Sequence, residues 1–132
     1  MSQREIALRA HEAVLAMRDH DDKAKLKTLC MKMPGLMCQS GLAQTIVFIR
    51  SRDRNDVKHG TFYLKQLIHV LADKAPRERP GAKPTIEALQ HDALSLGVLE
   101  YIALTAEVQR AMEWMRRFAQ IEMQKIQESE DN

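Results

Sequence analysis

Apolar side chains recur along this chain at intervals of three and four. Over 3–19 they fall at Ile6, Ala10, Ala13, Val14 and Met17, one buried stripe of a first helix. His20-Asp21-Asp22 interrupts the pattern, and the Asp22 carboxylate is placed to cap a second helix. That helix carries Leu26, Leu29, Cys30, Met33, Leu36 and Met37 on one face. Lys23 and Lys27 fall on one flank of that face, and Lys25 and Lys32 on the other. Pro34 lacks an N–H and clashes with the preceding turn, so it either interrupts the helix or starts a new turn. Ser40-Gly41 is the next punctuation: Gly41 suits the left-handed end of a helix, and Ser40 the start of another. Residues 42–49 are apolar nearly all round, as expected of a third helix central to the domain. A buried strand competes over 45–49; length and the helical neighbours favour the helix.

Residues 53–60 are polar, end in Gly60 and read as a loop. A fourth helix is expected over 61–75, with Phe62, Leu64, Leu67, Ile68 and Leu71 inward. Three prolines and a glycine among charges make 76–84 an exposed loop. Thr85 caps a short helix to about Leu96, which Gly97 ends. The last helix is long, about 98–127. Its stripes, Val98, Tyr101, Ile102, Thr105, Val108, Met112, Met115, Ala119 and Leu99, Ile102, Ala106, Trp114, Phe118, Ile121, predict a broad buried face. Residues 128–132 are expected to fray. The pattern predicts one all-α domain over 1–132, a single compact bundle of five or six helices with a long C-terminal helix.

Composition supports this. Hydrophobic residues make up 45% and charged residues 29%, which excludes a disordered chain. Scarce Gly and Pro, 5% aromatics and eight Met favour helices over sheets. No window approaches the ~18 apolar residues of a membrane span, and Met1-Ser2-Gln3-Arg4-Glu5 has no signal-peptide core. The expectation is a cytoplasmic protein with no membrane partner. Net charge is +2, unevenly spread: acidic at both ends and strongly basic over 23–83, where thirteen Lys and Arg face four Asp and Glu. Such asymmetry suggests a polyanion-facing surface; solvation of helix faces explains it equally well.

Candidate chemistry is sparse. Cys30 and Cys38 lie among apolar residues and are expected to be reduced and buried. His20-Asp21 and His91-Asp92 spell the dipeptide of metal-dependent HD phosphohydrolases, but such a site needs several converging ligands. A solvated His beside a capping Asp is the better reading. There is no Gly-rich phosphate loop and no recognisable nucleophile setting. No catalytic residue, metal or cofactor is therefore expected. Met33, Met37, Met112 and Met115 read as core packing rather than an adaptable partner groove, while Gln44 either hydrogen-bonds a neighbouring backbone as a buried amide or reaches a nucleotide at the surface, the buried amide being favoured. Trp114 with Arg116 and Arg117 is either a stacking platform for a nucleotide or a buried indole flanked by solvated arginines; the buried indole is favoured.

Two stretches carry a family resemblance. Residues 33–52 hold Pro34, the apolar pair Leu36-Met37, Gly41-Leu42, Thr45, Phe48 and Ser51-Arg52 at characteristic spacing. The run 99–107, Leu-Glu-Tyr-Ile-Ala-Leu-Thr-Ala-Glu, followed by Glu113-Trp114-Met115-Arg116-Arg117-Phe118-Ala119, supplies a second block. Together they resemble the small subunit, the fifth protein, of the Cmr module in type III-B CRISPR–Cas effector complexes. The blocks span about a third of the chain, and Ser40 before Gly41 departs from the pattern. The resemblance implies a non-catalytic helical subunit whose copies stack in a filament beside the backbone subunits. It also implies guide RNA and target RNA, the backbone and large subunits of the complex, and copies of itself as partners. Ser51 and Arg52 from the first block, and Arg116 and Arg117 from the second, become expected RNA contacts. Lys23, Lys27, Arg50, Arg54 and Lys58 join them from charge clustering. The related type III-A small subunit is the nearest alternative, and an HD-type phosphohydrolase a more distant one.

Overall fold

Ser2 opens the first helix in the computed structural model, which describes residues 2–129. Its hydroxyl accepts the Glu5 N–H at 3.2 Å, and α1 runs Gln3–Arg18. There follow α2 (Lys23–Ser51), α3 (His59–Leu71) with a 3₁₀ turn at Ala72–Lys74, α4 (Ile86–Ser95) and α5 (Val98–Glu122). No strand occurs among the described residues.

Side-chain contacts fix the directions. Lys27 reaches Ile126, the Pro34 carbonyl accepts from Gln109, and the Leu42 N–H meets Tyr101, so α2 and α5 run antiparallel. The α1 pairs, Gln3 with Trp114 and His11 with Glu122, advance together along α5, so these two run parallel. Glu12 pairs with His69, and the His20 ring lies 4.3 Å from that of Phe62, so α3 runs back along α1. Tyr63, Leu64 and Leu67 of α3 sit in the centre, with Met17, Ile46 and Met112 fully buried around them. The four methionines expected in the core are there, each no more than 3% exposed.

α2 absorbs the two helices expected on either side of Ser40. Pro34 lies inside it, and Gly41 alone departs from helical geometry, at φ 83° and ψ 174°. That region is essentially restricted to glycine, so the chain bends there rather than starting afresh. Asp22 sits at the start of α2 without a side-chain cap bond. His20 Nδ1 instead accepts the Asp22 N–H at 2.9 Å. Thr85 caps α4 as expected, its hydroxyl accepting the Ala88 N–H at 3.0 Å. Gly97 ends no helix; it precedes α5.

Several burial expectations are corrected. Cys38 is exposed while Cys30 is buried, because the face carrying Cys38 turns away from the core. Gln44 and Val47 are exposed, so the end of α2 is not buried all round. Val98, Leu99, Ile102 and Ile121 are 75%, 77%, 58% and 63% exposed. The bundle has no element to lay over that side of α5, so its apolar face is wider than the core it meets. Trp114 is half-buried, with its indole N–H donated to Gln3 Oε1 at 3.0 Å. α5 stops at Glu122, not near 127, and the chain turns back so that the Ser129 N–H donates to the Ala24 carbonyl at 3.3 Å. The tail expected to fray is thus tied down as far as Ser129; 130–132 lie outside the described residues.

Candidate nucleic-acid interface

The corner between α2 and α3 is built around Gly60. A Cβ there would lie 2.2 Å from the Ile49 carbonyl oxygen, so only glycine permits this approach of the two helices. Asp53 fixes the connection. Its carboxylate accepts the Gly60 N–H at 2.7 Å and the Thr61 N–H at 3.2 Å, and also takes the Thr61 hydroxyl. Those N–H groups belong to the first turn of α3, where a carboxylate is favoured by the helix dipole. This cap, supplied from outside the helix, starts α3 at His59, two residues before its expected start.

The corner displays cations. Arg50 is exposed; it donates to Gln90 Oε1 at 2.7 Å and lies 3.7 Å from the Glu87 carboxylate. The Arg52 guanidinium stacks 4.5 Å over the Phe48 ring. Arg54 donates to the carbonyls of Ser51 and Asp53, both at 2.9 Å, and so closes the C-terminal end of α2. The Ser51 hydroxyl donates to the Phe48 carbonyl at 2.7 Å. Lys58 is exposed on the same connection. Five of the nine expected RNA contacts are therefore brought together. A fifth cation there, Lys65, was not among the expected contacts: it lines a depression with Arg50, Thr61 and Thr85. Its spacing of four from Thr61 placed it on the same face of α3 and could have signalled it.

The remaining four lie elsewhere. Lys23 is exposed at the start of α2, and Lys27 donates to the Ile126 carbonyl at 2.7 Å. Arg116 pairs with Glu113 at 3.1 Å on α5. Arg117 is exposed, with its guanidinium 5.8 Å from the Trp114 ring.

Cations on an exposed corner suit the oxygens of a phosphodiester chain, and contacts of that kind orient without reading bases. The histidines of the HD dipeptides make local contacts. His20 accepts from Asp22, and exposed His91 lies 3.7 Å from Asp92 and 3.3 Å from the Ser95 hydroxyl. Among the described residues no three His, Cys, Asp or Glu side chains gather as metal ligands would. Burial pushes the Cys30 thiol up to about 12. No helix among the described residues is long and apolar enough to cross a membrane.

Comparison with known proteins decides the family. The profile of the CRISPR-associated protein (Cas_Cmr5) family matches residues 2–122. The chain belongs to this family. It is 32% identical over 114 residues to the CRISPR system Cmr subunit Cmr5 of Thermus thermophilus, covering 86% of this chain and 89% of that one. The crystal structure of a CRISPR-associated Cmr5 family protein from the same organism superposes with a TM-score of 0.74 at 28% identity. That match covers 92% of this chain and 97% of the other. The two blocks that carried the resemblance meet in space, where Leu42 of the first bonds Tyr101 of the second.

Proposed function

We propose that this chain is the non-catalytic small subunit of a type III-B CRISPR–Cas effector complex, holding guide and target RNA through their phosphates. The observation that carries the reading is the family match over 2–122 taken with the cationic corner Arg50–Lys58. Base pairing supplies sequence specificity in an RNA-guided complex, so a subunit of this kind needs register and charge, not base readout. Ser51 and Arg52, with Arg50, Arg54 and Lys58, line the principal contact; Lys23, Lys27, Arg116 and Arg117 are secondary contacts. Assignment to type III-B rather than type III-A rests on both relatives being Cmr5 proteins. The local engagements of His20 and His91 favour a scaffold over an HD-type phosphohydrolase.

Stacking of copies, and docking on the backbone and large subunits, are assigned to the apolar surface the fold leaves uncovered. Leu94, Val98, Leu99 and Ile102 are each at least 58% exposed where α4 meets α5. Apolar surface of this kind, adjacent to charged rim residues, marks a protein interface. A complex with this task works in the cytoplasm, and the chain is assigned there with it.

The test is photo-crosslinking in the reconstituted complex loaded with guide and target RNA. Crosslinks are expected within 50–58. A complex that assembles and contains the chain, yet yields no crosslink to it, overturns the RNA contact while leaving the family membership intact.

A further inference from the structure

Where α2 ends, α3 and the start of α4 leave a depression of about 450 Å³ between them. Ile68 and Ile86, 9% and 8% exposed, and Pro84 give it apolar walls. Lys65 and Arg50 bring two cations to the same space. Arg50 is held by Gln90 Oε1 at 2.7 Å and stands 3.7 Å from the Glu87 carboxylate, which also lines the depression. Lys65 is exposed and makes no ion pair or hydrogen bond among the described residues. The Thr85 hydroxyl accepts the Ala88 N–H at 3.0 Å and donates to nothing among those residues.

This lining narrows the ligand. A purely apolar molecule has no use for two cations. A bare anion has no use for apolar walls and is repelled by a carboxylate. Apolar walls with a few converging polar groups, at this volume, are what a small-molecule site requires. A nucleotide has all the matching parts: a phosphate for Lys65 and Arg50, sugar hydroxyls for Glu87 to accept, and a base whose face is apolar. A second depression, along Arg77 and His91, has a similar volume of about 490 Å³ but a different chemistry. Glu78, Glu87 and Asp92 line it, and its Arg77 guanidinium is engaged with the Asp73 and Ala75 carbonyls at 3.4 and 2.9 Å. Acids outnumber cations there, so a phosphate is disfavoured.

We propose that the Lys65 depression is a nucleotide subsite. It takes one phosphate–sugar–base unit, with the phosphate against Lys65 and Arg50 and the base against Ile68 and Ile86. An RNA strand held at the corner is one source of that unit, and in this respect the inference rests on the RNA-holding reading. The strand's adjoining phosphates then fall to Arg52, Arg54 and Lys58. A free nucleotide is the other source of the same chemistry.

The test titrates the isotope-labelled full chain with adenosine monophosphate at millimolar concentration and follows its amide NMR signals. Shifts are expected at Thr61, Lys65, Thr85 and Ile86, which line the depression. Adenosine and inorganic phosphate should each bind about tenfold more weakly, since each supplies only part of the contact. Lys65→Met keeps the aliphatic stem and should weaken adenosine monophosphate about tenfold, and Lys65→Arg should restore it. A thermal melt confirms that both variants are folded. A short single-stranded RNA that displaces the nucleotide makes the occupant a unit of the strand. Nucleotide binding with which that RNA does not compete makes it a free nucleotide. Three results overturn the subsite: no shift at these positions, inorganic phosphate binding as tightly as the nucleotide, or a folded Lys65→Met that matches the parent. An Arg52→Ala, Arg54→Ala double variant, changed outside the depression, keeps the two readings apart. If it loses RNA while the parent ignores adenosine monophosphate, RNA holding stands and the subsite falls. If the nucleotide binds at Lys65 while no form of the chain binds RNA, the subsite stands and RNA holding falls.

Discussion

Tyr101 receives the backbone N–H of Leu42 on its phenolic oxygen at 3.1 Å, across 59 positions of sequence. The bond sits on the bend of α2, where Gly41 takes φ 83°. The Thr45 hydroxyl donates to the Gly41 carbonyl at 2.7 Å on the other side. α5 thus props the one point at which α2 leaves helical geometry. The bend in turn sets where the Arg50–Lys58 corner falls.

Tyr101→Phe should cost about 1 kcal/mol, the net worth of one such bond. Gly41→Ala should cost about 1–3 kcal/mol, since alanine is strained at this φ and its Cβ would lie 3.3 Å from the Tyr101 oxygen. Because the two changes touch one contact, the double variant should lose less than their sum. Urea unfolding of the three proteins checks this; strict additivity would mean that the bend does not depend on Tyr101.

Gly60→Ala should be the most damaging single methyl in the chain. The added carbon meets the Ile49 carbonyl at 2.2 Å and Asp53 Oδ1 at 2.9 Å. Backbone cannot yield as a side-chain tip does, so α2 and α3 must separate. The cost should reach about 3 kcal/mol, the upper end of overpacking. Asp53→Ala, which removes only the cap, should cost about 1 kcal/mol. Denaturation midpoints of the two variants rank them.

The cysteines should separate by reactivity. Cys38 is exposed and Cys30 buried, so a thiol reagent should label one site in the native protein and the second only on unfolding. Burial pushes the Cys30 thiol from 9.0 up to about 12, and pushes the Tyr63 hydroxyl upward as well. Both groups keep their protons longer in the folded state. Stability is therefore intact below pH 9 and falls as pH rises from about 9 toward 12, because the unfolded chain ionises first. Cys30→Ala should flatten part of that fall and leave the share due to Tyr63. Thermal melts across this range measure it.

The helices were readable in the sequence because their apolar spacing is local. Ile6, Ala10, Val14 and Met17 meet the core as the pattern demands. What spacing could not reveal was how much of an apolar face finds a partner. Ile102 shares a stripe with buried Val108 and Met112 yet stays exposed, because α1 begins to cover α5 only at Trp114, where Gln3 meets it. The same limit applied at the corner. The charge run from Arg50 to Lys58 was visible, but Lys65 joined it only once α3 folded back along Asp53. Lys27 looked like a free cation until the chain returned at Ile126.

Trp114 offers a sharper measure of that difference. A fully buried indole would lose about 3–5 kcal/mol on truncation to alanine. Here the ring is half-buried and stacks on Phe118 at 5.8 Å. Trp114→Ala should cost about 2 kcal/mol, in line with partial burial. Trp114→Phe should recover most of it. A loss near ~4 kcal/mol in urea unfolding would show that the indole is a core residue after all.

The arginines at the corner have two jobs that one set of variants can separate. Arg54 closes the end of α2 through two carbonyls, and Arg50 ties α2 to α4 through Gln90. Replacing Arg50, Arg52 and Arg54 by alanine should lower stability, by about 1–2 kcal/mol for contacts this exposed. It should also weaken binding of every RNA sequence alike and flatten the log–log salt dependence by about 2, three contacts at about 0.7 each on a single strand. Arg54→Lys keeps the charge but loses the planar fork that serves two carbonyls at once. It should therefore lose stability while its salt slope stays close to that of the parent. If the triple variant loses stability with an unchanged slope in the assembled complex, these three side chains serve the helix end alone. The phosphate contacts must then come from Lys58 and Lys65 or from the secondary set Lys23, Lys27, Arg116 and Arg117.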